Sequence, residues 1–458
     1  MKHRQSNKKS SARSDEQPNY QCEDWYDDGR GAILFQGKRV PVAGLIPGEV
    51  AAVKLKRGAQ GIAYEGVIER IVTPSKLRVK PACRHFGPCG ACHLQHLSAK
   101  GQMQFKQAIA ERHLAPFGQV APILAMPSPW HYRNKSHFTF SENGPGKVTS
   151  GLYQEGSHKV VPIENCLVQP PNVDAIANTL RQLVKSFRLE VYNEDSQRGL
   201  VRHVLVRQGF VTGEIMVVIV VAKMQVPSKR NFLNALLKAH PEIKTVLLNQ
   251  NNQRTSMVLG QNFECLYGPG FIREITNGLT FEIGPSTFYQ INPRQTEQLF
   301  KLAIEKADLK GHEVVIDAYC GVGTLGLFAS KYAKQVFGVE SNRESVMAAQ
   351  KNAKLNSISN VKFIASDAGQ WMRQCADAQR KIDVVIMDPP RSGADQVFLS
   401  SLVHLMPQKI IYVSCNVETQ ARDIKYLAEH GYKILMMQPV DMFPQSFHIE
   451  NICLLERS

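Results

Sequence analysis

From about residue 293 to the C-terminus, apolar runs of strand length alternate with stretches whose apolar residues recur at helical spacing. "TEQLFKLAIEKA" reads as a helix and "HEVVIDAYCG" as a buried strand. A helix from Thr324 follows, then the strand "KQVFGVE", the helix "RESVMAAQKNAKLN" and the strand "VKFIASDA". "IDVVIMDPP", "ADQVFLSSLVHL", "KIIYVSCN" and "VETQARDIKYLAEH" continue the alternation, and "YKILMMQPV" and "NICLLERS" close it as strands. Strands and helices of these lengths in strict succession predict a doubly wound α/β sheet over 293–458. Ligands of such sheets bind outside the carboxyl ends of the strands, so the residues ending each strand bear most on function.

A chain of 458 residues exceeds one ordinary core, and the remainder differs in texture. Residues 20–80 alternate over short segments around the turn signal Pro47-Gly48, the pattern of a small all-β barrel on which Lys54, Lys56 and Arg57 are exposed. Residues 81–292 mix strands ("HYRNKSHFTF", "GEIMVVIVVAK") with helices ("PNVDAIANTLRQLVKSF", "SKRNFLNALLKAH"), an α+β middle domain. Residues 1–19 are basic and polar with no apolar h-region, which reads as a disordered tail rather than a secretory signal. With no apolar run long enough to span a bilayer, no membrane association and a cytoplasmic location are expected. The formal net charge of +15 favours a polyanionic partner over a neutral one. The basic segments "YRNKSHFTF" and "RGLVRHVLVR" are candidates to grip phosphates and stack bases, or else amphipathic strands with solvated outer faces. Nothing in the sequence calls for an obligate protein partner.

The first strand of the C-terminal domain runs into "DAYCGVGTLGL", where Gly321 and Gly323 permit a tight turn and close approach of a ligand. "GVGTLG" formally satisfies the dinucleotide fingerprint, so the pattern alone does not choose a cofactor. Asp317, Glu340 and Asp367 place an acid at three successive strand ends. That suits a nucleoside bearing a cationic sulfonium, S-adenosylmethionine, better than a pyrophosphate. Any one of these acids is equally explained as a helix cap.

The fourth strand ends in "MDPPRSG" and the fifth in "VSCN". Arg391 follows Pro-Pro where enzymes that methylate amino groups commonly carry an aromatic residue, which argues against exocyclic nitrogen chemistry. Methylation of a pyrimidine C5 needs a thiolate to add at C6 and a base to remove the C5 proton afterwards. Cys415 is placed for the first role and Glu450, in "FHIENICLL", for the second. A small buried thiol and a solvated surface carboxylate are the plainer readings of the same two residues.

"CRHFGPCGAC" spaces Cys83, Cys89 and Cys92 closely, with Cys166 in "IENCLVQ" as a distant fourth ligand. Without a signal peptide, a disulfide framework is disfavoured and a metal centre favoured. Spacing leaves a four-thiolate zinc site, mixed ligation with His85 or His93, and a [4Fe–4S] cluster all open.

Taken together and in this order, "STFYQIN" (286–292), "DAYCGVGTLGL", "MDPPRSG", "YVSCN" and "FHIEN" resemble the RNA uracil-5 methyltransferases. The cysteine spacing is similar to that of the family's iron–sulfur, 23S rRNA branch, and residues 20–80 resemble its TRAM domain, an OB-like RNA-binding barrel. The resemblance implies Cys415 as nucleophile, Glu450 as the proton-abstracting base, and Gln290, Tyr319, Glu340 and Asp388 around S-adenosylmethionine, with Asp388 near the target uracil. Thr324 and Asp367 match cofactor positions where the family varies. It also implies a [4Fe–4S] cluster on Cys83, Cys89, Cys92 and Cys166, and 23S rRNA as substrate. RNA cytosine-5 methylation and a non-catalytic RNA-binding or chaperone role are the competing expectations.

Overall fold

The computed structural model describes residues 18–58, 64–144, 146–255 and 257–458. Residues 1–17 of the expected basic tail lie outside the described residues. The chain divides into two compact units, one formed by Met1–Lys80 with His96–Phe105 and the other by Pro81–Gln95 with Lys106–Ser458.

In the first unit, Asn19–Gln21, Asp24–Trp25, Gly31–Phe35, Lys38–Val42, Val50–Arg57 and Tyr64–Thr73 form one six-stranded sheet. All pairings are antiparallel except a single parallel bridge, Val42 with Gly66. The hairpin Gly31–Phe35/Lys38–Val42 turns on Gln36 and Gly37, both at positive φ (51° and 72°), the twist a two-residue hairpin loop needs. Ile33, Val40, Val42, Leu45, Ala51 and Val53 pack around buried Cys22. Residue 66 must be glycine because a Cβ there would meet Val42 Cγ2 at 2.6 Å and Val53 Cγ1 at 2.7 Å. The described elements of this segment are all strands, and Lys54, Lys56 and Arg57 are exposed.

The second unit contains two seven-stranded sheets. In the first, the strands lie in the order Asn262–Tyr267, Ile243–Gln250, Ile215–Val221, Val201–Gln208, Lys135–Glu142, Val148–Tyr153, Val160–Pro162. Helices Pro171–Ser186 and Lys229–Ala239 bury Val173, Ile176, Leu180, Val184, Phe232 and Leu236 in the same apolar cluster as Phe138, Val204 and Val217. The strands Ile272–Thr276 and Leu279–Ile283 form a separate hairpin. One expectation fails in this sheet. Val201–Gln208 is buried along nearly its whole length, with Arg202 and Arg207 only 1% and 2% exposed. Arg202 forks onto Glu194 at 2.8 Å, and Arg207 donates to the carbonyls of Gly284 and Thr287 at 3.0 Å. These guanidiniums are spent inside the protein and cannot grip phosphate. Phe138 and Phe140 are buried as well, so they are core rather than stacking platforms.

The second sheet begins with Val314–Ala318, an interior strand. Gln335–Glu340 and Val361–Ala365 extend it on one side; Val384–Met387, Lys409–Ser414, Glu450–Arg457 and Tyr432–Val440 extend it on the other. All neighbours are parallel until Glu450–Arg457, which inserts antiparallel between Lys409–Ser414 and Tyr432–Val440. The strand order reverses beside Val314–Ala318, which opens a crevice at the strands' carboxyl ends. Asn342, Asp367, Asp395 and Asn416 each accept a backbone N–H at the start of the helix that follows a strand. The doubly wound expectation is met, with one addition: the capped helix Ala368–Asp377, which follows Asp367 directly. Among the described residues no helix is long and apolar enough to cross a membrane.

Candidate active site

The strand ends of this sheet surround a cavity of about 910 Å³ lined by Gln290, Tyr319, Glu340, Asp367, Asp388, Cys415 and Glu450. Seven of the eight residues to which the family resemblance gives a catalytic or cofactor-binding role therefore line one cavity. Thr324, the first residue of helix Thr324–Ala329, lies outside it and lines a small adjoining cavity with Gln290, Tyr319 and Asp388.

The glycine-rich turn is built as its sequence requires. Tyr319, Gly321 and Gly323 all have positive φ (64°, 53° and 81°), and Tyr319 is the residue that tolerates this poorly. Such backbone persists only where its surroundings fix it. Here Glu340 does so in part, accepting the Gly321 N–H at 3.1 Å and the Asn342 N–H at 2.7 Å. Asp317 departs from expectation. It is buried beneath the turn, accepts the Gly326 N–H at 2.7 Å and does not line the large cavity. A Cβ at residue 326 would lie 2.6 Å from its carboxylate, so the last glycine of "GVGTLG" seats Asp317 instead of a pyrophosphate. Asp367 is both a helix cap and a cavity residue.

Cys415 occupies the single position between the end of Lys409–Ser414 and the cap residue Asn416. Ser414 closes the turn around it: its hydroxyl accepts the Asn416 N–H at 3.1 Å and donates to the Asn416 carbonyl at 3.0 Å. Asn416 Nδ2 and Thr419 Oγ1 both donate to the Arg391 carbonyl at 3.1 Å, tying the thiol's turn to the "DPPR" turn. Glu450 begins the neighbouring antiparallel strand, in which Ser414 pairs with Asn451.

Burial dominates the electrostatics. It raises Asp388 and Asp317 to about 7, in Asp317 with help from the Asp388 and Glu340 charges. It holds Glu450 well above the ordinary carboxylate range, with Asp388 adding and Arg391 opposing. Cys415 is pushed up to about 11 by burial and by the charges of Glu450 and Asp388, again against Arg391. Four carboxyls on one cavity, those of Glu340, Asp367, Asp388 and Glu450, favour a cationic occupant. Gln290, Tyr319, Glu340 and Asp367 on the same wall supply the polar groups that a nucleoside needs, so the residues fit S-adenosylmethionine.

The sequence reading gave no site role to Arg391 and His448. Both line the cavity, and Arg391 Nη2 donates to His448 Nδ1 at 2.6 Å. Burial, with Arg391 beside it, lowers His448 to about 3, so the imidazole is neutral and able to accept. The available signal was the two-residue spacing of His448 and Glu450. Phe288 also lines the cavity while 61% exposed, and Arg133 from the basic segment reaches it.

Cys83, Cys89, Cys92 and Cys166 line one small cavity elsewhere in the same unit, beside Phe86, Gln95 and Ile163. Their donor chemistry is all sulfur, which fits a thiophilic centre. Among the described residues, however, no three His, Cys, Asp or Glu side chains converge as a group that could hold a metal ion. Burial raises Cys89, Cys92 and Cys166, the latter two to about 11 and 12.

A seven-stranded sheet with one reversed strand, Glu450–Arg457, next to its edge, a glycine turn backed by Glu340, and an acid-lined crevice define an S-adenosylmethionine-dependent methyltransferase. Residues 98–458 match the family model described as tRNA (Uracil-5-)-methyltransferase. An uncharacterized RNA methyltransferase of Caldanaerobacter subterraneus subsp. tengcongensis is 40% identical over 434 residues, covering 94% of this chain and 96% of the relative. One from Halalkalibacterium halodurans is 36% identical over 439 residues, 95% of each chain. The crystal structure of Pyrococcus abyssi tRNA (uracil-54, C5)-methyltransferase with S-adenosyl-L-homocysteine superposes with a TM-score of 0.78 at 26% identity. That match covers 96% of this chain and 100% of the other. The chain belongs to the RNA uracil-5-methyltransferase family.

Proposed function

We propose that this protein methylates C5 of a uridine in 23S rRNA through a covalent adduct between Cys415 and uracil C6. The observation that carries the reading is the meeting of Cys415, Glu450 and Asp388 on one cavity wall with the nucleoside-binding residues. As a thiolate, Cys415 adds to C6 and the electron pair moves to an enolate, which makes C5 nucleophilic. S-adenosylmethionine supplies the methyl group to C5. Glu450 then accepts the C5 proton, the C5–C6 double bond re-forms, and the Cys415 thiolate is expelled. Once ionised, a buried carboxylate whose affinity for protons is raised is a stronger acceptor for that step than a solvated one. Arg391 opposes the rise at both Cys415 and Glu450 and so favours their anionic forms. Asp388 lies by the uracil and can accept from its N–H edge. The base must leave its stack to reach this thiol, and exposed Phe288 offers a ring for it to stack on.

Cys83, Cys89, Cys92 and Cys166 would hold a [4Fe–4S] cluster with a structural role. Support comes from their shared cavity and all-sulfur donor set, not from a closed ligand geometry. Residues 20–80 would serve as a TRAM-like RNA-binding module, with Lys54, Lys56 and Arg57 presented to phosphate.

A second reading, methylation of a tRNA uridine, is favoured by the similarity to the Pyrococcus abyssi enzyme, a tRNA (uracil-54, C5)-methyltransferase. Incubation with S-adenosylmethionine and either 23S rRNA or tRNA, followed by nucleoside mass spectrometry, tests both. We expect 5-methyluridine in 23S rRNA. Product in tRNA alone would move the substrate; 5-methylcytidine, or no methylated base, would overturn the proposal.

A further inference from the structure

The segment Asp441–Ile449 carries Phe443 and His448 into the cavity and leads directly into Glu450. It has no regular secondary structure, yet four consecutive carbonyls in it are held from outside. Asn292 Nδ2 donates to Met442 O at 2.8 Å, Lys106 Nζ to Phe443 O at 3.0 Å, and Tyr132 Oη to Pro444 O at 3.0 Å. The backbone N–H groups of His93 and Leu94 both donate to Gln445 O, at 2.8 and 3.0 Å. Gln445 itself sits at φ 70°, a conformation a non-glycine residue keeps only when its neighbours impose it. The His93 ring packs 4.6 Å from Phe447 and 6.4 Å from His448, centroid to centroid.

Two of these supports belong to the cysteine-lined region. His93 and Leu94 follow Cys92 directly, and Tyr132 is buried in the same apolar cluster as Cys89 and Cys166. We propose that this region is a positioning element for Glu450: His93, Leu94 and Tyr132 fix the approach to the base while leaving Cys415 to its own turn. The inference rests on the reading of Glu450 as the base that releases the adduct. It assigns the cysteine region a specific effect on release, because the hydrogen bonds that fix the Cys415 turn run among Ser414, Asn416, Thr419 and the Arg391 carbonyl, and among the described residues Arg391 hydrogen-bonds the segment only through its side chain, at His448. A displacement of the base by about 1 Å is enough to slow its step about a hundredfold without altering steps that do not use it.

The test uses the full chain carrying Tyr132→Phe, which keeps the buried ring and removes one hydrogen bond, and separately His93→Ala. Each is mixed with S-adenosylmethionine and an RNA that the wild type methylates. Single-turnover methyl transfer is measured, and covalent protein–RNA adduct is quantified on denaturing gels. Both variants should transfer methyl within about twofold of the wild-type rate and accumulate about tenfold more methylated adduct. Amide exchange of residues 442–448 should quicken while that of strand Lys135–Glu142 stays unchanged. Wild-type adduct levels in both variants, or an equal slowing of transfer and release, would overturn the inference. If the wild type forms no adduct even with 5-fluorouridine RNA, it is the covalent mechanism that fails; if it does and the variants release normally, only the positioning role falls.

Discussion

Cys415 and Glu450 lie one residue beyond the last registered pair of two antiparallel strands, Ser414 with Asn451, so the thiol and the carboxyl face the same cavity from adjacent strand ends. Strand pairing sets the register of the two residues. Because Glu450–Arg457 runs antiparallel to Lys409–Ser414, its first residue, 35 positions later in sequence, lies beside the residue that follows the other strand's carboxyl end.

Replacing Glu450 by Gln keeps the shape and removes the base. The variant should methylate RNA once and then hold it as a covalent adduct, with multiple turnover reduced about 10²–10⁴-fold. Gel-shift under denaturing conditions reads this directly, and a Cys415→Ala companion should form no adduct while still binding S-adenosylmethionine in equilibrium dialysis. Normal turnover by the Gln variant would show that another group removes the proton.

Asp388 gives a pH prediction whose sign is fixed by its shift. Its folded value of about 7 is above the ordinary carboxylate value, so its contribution to stability is fully present below about pH 4 and is lost as pH rises through about 7. Asp388→Asn cannot ionise, so in the ligand-free protein it should gain on the wild type by up to about 4 kcal/mol between pH 4 and 8. Denaturant titrations at each pH measure the difference. A constant difference would mean that Asp388 is already ionised in the folded protein.

Stability of the first unit depends on a different carboxylate. Glu49 is fully buried; it accepts from Arg78 Nε and Nη2 at 2.5 Å and from the Ile46 and Ser75 N–H groups at 3.0 Å. Burial works against its charge, but these partners prevail and hold it below the ordinary value. Glu49→Ala leaves Arg78 without its partner and should cost about 2–4 kcal/mol, less than a fully buried pair would because Arg78 is partly exposed. Because the shift is downward, the Glu49 contribution is present above about pH 4.5 and lost as pH falls through its folded value. A stability loss below about 0.5 kcal/mol would contradict this account.

The cysteines yield a composition test. Anaerobic reconstitution with iron and sulfide should load about four of each per chain. Cys166→Ser, remote in sequence but lining the same cavity, should abolish loading as completely as Cys89→Ser. Zinc bound in preference to iron would exchange the cluster for a zinc site.

Local signals made the C-terminal half of this fold legible. Strand-length apolar runs, each ending in a distinctive residue, placed Tyr319, Glu340, Asp367, Asp388 and Cys415 at strand ends, and the fold rule brought those ends together. What local patterns did not show were relationships closed by distant residues. Lys106, in helix Ala99–Leu114, is fully buried and paired with Asp441 at 2.5 Å, 335 residues away, and a lysine in a polar helical run gives no hint of this. Arg202 and Arg207 looked like a basic surface because sequence does not reveal that Glu194 and two carbonyls satisfy them inside the sheet. The helix Ala368–Asp377 was hidden by the glycine in its first turn, although a capping role for Asp367 was open from the start. Nor does sequence distance reveal that His93, directly after the cysteine motif, packs on the segment that delivers Glu450.

The central claim is a bond between Cys415 and uracil C6. It is tested most directly by incubating the protein with S-adenosylmethionine and 23S rRNA fragments containing 5-fluorouridine, then mapping crosslinked peptides by mass spectrometry. Fluorine at C5 cannot leave as a proton, so the account predicts a stalled, C5-methylated adduct on the peptide bearing Cys415. An adduct on another residue, or none despite demonstrated binding of RNA and S-adenosylmethionine, would contradict it.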